Sequence, residues 1–156
     1  MSTAFTLICN RALYTEAFEV ITRTVSGDIT LEGRDDSWKR IMITSPHSRI
    51  TFTSMARQRP GDEFSKLILS LRTFAREIRT PLVDSQKRLL ERILGAKLLI
   101  GVVTEPDLSD EDGHLECLGE LCSHLDAIIF NGDGFLNADG DLILDYTGTS
   151  EENDNQ

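Results

Sequence analysis

The chain of 156 residues carries 26 Asp+Glu against 16 Lys+Arg, a formal net charge of −10 at pH 7, with 40% hydrophobic residues. That length and balance suit one folded domain with its own core and exclude a disordered chain. No apolar run approaches the roughly 18–20 residues of a membrane helix, and residues 1–10 do not read as a secretion signal.

Thr3–Cys9 runs apolar over strand length and predicts a first strand. Tyr14, Ala17, Phe18, Ile21 and Val25 then recur at helical spacing on one face, and Gly27 ends the pattern. Ile29–Glu32 reads as a short alternating strand. Ile41/Ile43 and Ile50/Phe52, separated by Ser45-Pro46-His47-Ser48, predict an antiparallel hairpin, with Trp38 covering the core edge at its entrance. Asp62 is placed to cap a helix whose stripe is Phe64, Leu67, Ile68, Leu71, Ala75 and Ile78. The helix stops before Pro81, and Asp84 or Ser85 opens the next one, with Leu89, Leu90, Ile93 and Leu94 as its core face.

Leu98–Val103 lacks polar alternation, the mark of a strand covered on both faces. Several acids of the 104–113 loop are expected in the first turn of the next helix, where the dipole favours carboxylates. Leu115, Leu118, Cys122 and Leu125 form that helix's expected buried face. Ala127–Phe130 reads as a strand, Asn131–Gly134 as a turn, and Asp139-Gly140 as the turn before a last strand at Asp141–Asp145. The whole predicts a single α+β or α/β domain over residues 1–147: a mixed sheet centred on Leu98–Val103 and Ala127–Phe130, covered by amphipathic helices. Residues 148–156 read as an acidic flexible tail.

The ending, Leu125–Phe130 followed by Phe135-Leu136-Asn137-Ala138-Asp139-Gly140-Asp141-Leu142-Ile143-Leu144-Asp145, resembles an uncharacterised bacterial family, domain of unknown function 4272. Its members share the order of apolar strand, short insert, leucine, Asp-Gly turn and apolar strand. The resemblance implies a bacterial cytoplasmic protein and assigns no catalytic residue.

Chemistry-bearing motifs are scarce. The oxygen-rich segment 131–145 fits no calcium loop: Gly140 at the sixth position puts Phe135 first, and Gly134 there puts Ile129 first. His114, Cys117, Cys122 and His124 do not align on one helix face as zinc ligands, so buried cysteines with surface histidines are expected, and no metal or cofactor. Neither a nucleophile elbow nor a phosphate-cradling glycine loop is present. Three cysteines, an odd count, favour a reducing compartment and hence the cytoplasm over a disulfide scaffold.

Charge is the remaining signal. All 16 Lys and Arg lie within residues 1–97, whereas residues 98–156 hold 15 acids and no base. The Arg-rich stretch from Arg72 to Arg92 lies in a chain that is acidic as a whole, where a nucleic-acid binder would be basic, which argues against nucleic acid. The leading expectation is a non-enzymatic binding protein, an antagonist of the immunity or inhibitor type for a basic protein partner. Glu105, Asp107, Asp110, Glu111, Asp112 and Glu116 are its expected contact residues. The alternatives are an enzyme with a carboxylate-lined loop around Glu105, at a strand end where α/β folds place ligands, and a structural or assembly subunit.

Overall fold

The structure is a computed structural model that describes residues 2–137, 139 and 142–145. The apolar segments expected as strands fold as β1 (Thr3–Cys9), β3 (Arg40–Thr44), β4 (Arg49–Met55) and β5 (Leu98–Glu105), the last running two residues past the expected Leu98–Val103 into the expected loop. With β2 (Asp28–Glu32), β6 (Ala127–Phe130), β7 (Gly134–Leu136) and β8 (Leu142–Asp145) they form one sheet, ordered β2-β3-β4-β5-β1-β6-β7-β8. The protein is an α+β domain. The expected tail, residues 148–156, and Gly140 of the expected last turn lie outside the described residues.

The expectation of a mixed sheet is corrected, because every described pairing is antiparallel. β5 and β6 do run in the same direction, joined through a helix, but β1 is inserted between them. Each therefore meets β1 in the opposite sense, a split βαβ unit. Leu7 pairs with Ile100 on one side and Ile129 on the other, which puts the most apolar strands at the centre.

Helices α1 (Tyr14–Thr24) and α4 (His114–Leu125) pack on one face over Leu7, Ile41, Phe52, Ile100, Val102 and Ile129. Helices α2 (Glu63–Glu77) and α3 (Val83–Leu94) pack on the other over Ile8, Leu99, Ile128 and Phe135. Successive strand residues point to opposite faces, so one apolar run feeds two cores. Each fully buried Leu, Ile or Phe contributes about 1.5–3 kcal/mol relative to exposure.

Local signals set most boundaries. The Asp62 carboxylate accepts from the N–H of Ser65, Gln58 and Arg59, which caps α2 and holds its pKa well below the carboxylate range. Trp38 is buried, its indole N–H donating to the Tyr14 carbonyl at 3.0 Å. Helix α3 begins at Val83, ahead of the expected Asp84 or Ser85, without a side-chain cap. Leu67 and Leu94, expected in the core, are exposed because the α2 and α3 stripes are narrower than their apolar content. Among the described residues no helix is long and apolar enough to cross a membrane.

Candidate functional site

β5 carries Glu105 to the sheet end where the β3–β4 hairpin turns, and residues 106–113 lead back into α4. An open cavity of about 380 Å³ lies there, lined by Thr44, Ser45, Ser48, Arg49, Glu105 and Pro106. Glu105 is exposed and meets Arg49 across the β4–β5 ladder at 3.9 Å. Such an exposed pair contributes about 0–1 kcal/mol. A larger hollow of about 740 Å³ at the opposite end of the hairpin is lined by Tyr14, Trp38, Arg40 and Met55 among others.

The loop is pinned from several directions. Asp107 accepts from the Thr3 hydroxyl at 2.6 Å and the Leu108 N–H at 2.8 Å, which lowers its pKa. Asp112 Oδ2 accepts from Ser45 Oγ at 2.6 Å and Ser48 Oγ at 2.5 Å. Those two donors favour its charged form and place its pKa below the ordinary 3.8. The Asp112 carbonyl takes the Ser26 N–H at 3.0 Å, and the Gly113 N–H reaches the Asp110 carbonyl at 3.1 Å.

Ser48, His114 and Asp112 are a serine, a histidine and a carboxylate in contact, so their order decides what they can do. His114 is 1% exposed, with Nδ1 accepting from the Ser109 N–H at 2.9 Å. A neutral ring with Nδ1 occupied as an acceptor carries its proton on Nε2, which lies 3.4 Å from Ser48 Oγ. Nε2 thus has no lone pair to take the serine proton, and Asp112 sits on the serine rather than behind the imidazole. A nucleophilic triad needs the reverse wiring. Burial further lowers the His114 pKa, against the pull of Asp112 and Asp110. The network is a structural tie between the β3–β4 turn and the β5–α4 loop.

Three sequence expectations are corrected at this site. Helix α4 starts at His114 behind a left-handed Gly113, so none of the acids of the 104–113 loop falls in its first turn, where Glu116 stands instead. Asp112, expected to project outward with Asp110, Glu111 and Glu116, turns inward to the two serines. His114, expected at the surface, takes the buried place assigned to Leu115, which is 50% exposed. The inward stripe of the helix is His114, Cys117, Leu118, Leu121, Cys122 and Leu125, so of the expected face Leu115 alone is left outside.

Asp110, Glu111 and Glu116 remain exposed, and no ion pair engages them among the described residues. Cys117 and Cys122 are buried thiols pushed up to about 12 by desolvation, so neither supplies a thiolate at neutral pH. His124 is half-exposed and lies beside Glu16 at 3.6 Å. Among the described residues no three His, Cys, Asp or Glu side chains converge as a metal ion requires.

Asp112→Ala should cost about 1–3 kcal/mol at pH 7 in urea unfolding, because two hydroxyls lose their shared acceptor. A carboxylate with a lowered folded pKa contributes fully above its unfolded value and loses that contribution as pH falls through the folded one. The gap between parent and Asp112→Ala should therefore be constant above the ordinary 3.8 and close as pH drops below it. A gap unchanged in acid would mean that the hydroxyls do not depend on the charge.

Searches against protein-family models, curated proteins and solved structures find nothing that matches this chain.

Proposed function

We propose that this chain is a non-enzymatic binding protein that holds a basic protein partner against the β5–α4 loop and the outer side of α4. The observation that carries the reading is a loop anchored internally through Asp107, Asp112 and His114 while Asp110, Glu111 and Glu116 stay exposed, without an ion pair among the described residues. A fixed loop loses little freedom on binding, and unpaired carboxylates attract a basic surface at long range. The charge distribution across the sheet supports it. The α1/α4 layer presents Glu16, Glu19, Glu116 and Glu120 against Arg23 alone, and the α2/α3 layer presents Lys66, Arg72, Arg76, Lys87, Arg88 and Arg92 against four acids. An inhibitor or immunity-type antagonist would use such a surface to occlude the partner's own basic site.

The test is association kinetics with the partner isolated from the source cell at low salt. Asp110→Lys/Glu111→Lys/Glu116→Lys should leave the melting temperature within a few degrees, since exposed charges contribute about 0–1 kcal/mol each. Its association rate should fall by about 10- to 1000-fold at low ionic strength and lose its salt dependence. Unchanged association of the triple variant would remove this surface from the interface.

A further inference from the structure

We propose that β2 is a strand-addition site, where a basic, alternating segment of a partner protein extends the sheet. The inference rests on the reading of the chain as a binder of a basic protein and supplies the mode of contact. Among the described residues β2 ends the strand order and pairs only with β3. In an antiparallel ladder roughly half of an edge strand's N–H and C=O groups face the open side, a ready template for another strand. Four of the five β2 residues are exposed, and only Leu31 is half-buried.

The side chains specify what can be added. Ile29 lies opposite Ile43 and shares its face, yet it is 46% exposed where its neighbour is buried. Asp28, Thr30 and Glu32 share the other face by the two-residue period. A second copy pairing antiparallel about Thr30 would set Asp28 against Glu32, and like charges directly opposite are unfavourable. The same two carboxylates would attract lysine or arginine four residues apart on an incoming strand, with apolar residues meeting Ile29 and Leu31. Glu32 shares its charge with Arg40 at 3.5 Å, and Asp28 has no ion pair among the described residues. The Ser26 N–H bond to the Asp112 carbonyl sets the acidic loop beside the entry to β2.

The test uses two capped peptides, Thr-Lys-Val-Thr-Val-Lys-Thr and its glutamate counterpart Thr-Glu-Val-Thr-Val-Glu-Thr, titrated into isotope-labelled protein. The lysine peptide should give saturable amide shifts and slowed amide exchange over Asp28–Glu32, and the glutamate peptide should not. D28K/E32K should weaken the lysine peptide by about tenfold and favour the glutamate peptide, since each cross-strand charge pair changes sign. Shifts centred elsewhere, equal binding of both peptides, or no saturation would overturn the proposal. Failure of the peptides bears on the edge alone, whereas failure of the loop reading shows as unchanged partner association in the triple-lysine variant.

Discussion

Replacing Ile100 with aspartate should abolish the folded state. Ile100 is 0% exposed and lies on β5 between Leu7 of β1 and Ser54 of β4. It faces the apolar core beneath α1 and α4, and the hydroxyl of neighbouring Ser54 is already donated to the Trp38 carbonyl at 2.7 Å. The variant loses about 1.5–3 kcal/mol of apolar burial. It must also bury a carboxyl group without a partner, which costs several kcal/mol more even if the group is protonated. A domain stable by about 5–15 kcal/mol does not survive that sum with a useful margin. Soluble yield and a thermal melt test it, with Ile100→Val as the control expected to lose only about 0.5–1.5 kcal/mol. If Ile100→Asp melted within a few degrees of the parent, β5 would not be the centre of the sheet.

Gly113→Ala should be the most damaging small substitution in the acidic loop. Gly113 has φ +84, and a Cβ there would lie 2.0 Å from the Thr24 carbonyl oxygen and 3.0 Å from its carbon. Backbone against backbone cannot yield as a flexible side chain does, so the ends of α1 and α4 must separate. The left-handed conformation alone costs about 1–2 kcal/mol, and the displaced contact raises the total to several. Gly132 provides the comparison: it has φ +98 with nothing within 4 Å of its added Cβ, so Gly132→Ala should cost only the conformational part. Urea unfolding of the two variants separates these effects. Amide exchange should also show the Ser26 N–H losing protection in Gly113→Ala, because its acceptor on Asp112 moves with the loop. Equal costs for the two glycines would mean that the loop is not wedged against α1.

The close approach at Gly113 explains why the loop is harder to read from sequence than the strands it joins. In residues 104–113 the acidic side chains advertise solvent and helix capping, and both readings follow from local chemistry. What turns Asp112 inward is a pair of hydroxyls on the β3–β4 turn, brought near only when β4 pairs with β5. The segment Ser45-Pro46-His47-Ser48 reads correctly as a turn, yet nothing in it marks a carboxylate partner more than 60 residues later. His114 is similar. Its polarity argues for the surface, and the Ser109 N–H aimed at Nδ1, with the Ser48 hydroxyl facing Nε2, makes its burial tolerable.

By itself the sequence determined the elements, because their causes are local. Period-two alternation made β3 and β4, the 3.6-residue stripe made α1 and α2, Asp62 capped α2, and the unbroken run at 98–103 marked a strand covered from both sides. It also determined the division of charge, since no base follows Lys97. Only the tertiary structure decided how the strands are ordered. β1 and β5 are joined by hydrogen bonds between segments nearly a hundred residues apart, and an apolar strand carries no label for its neighbour. Among the described residues that choice made every strand pairing antiparallel, left β2 at the edge, and set opposite charges on the two helical layers. It also decided which carboxylates are spent on the fold and which stay exposed. Asp112 and Glu116 are alike as residues, and they differ in role because two serine hydroxyls happen to reach one of them and not the other.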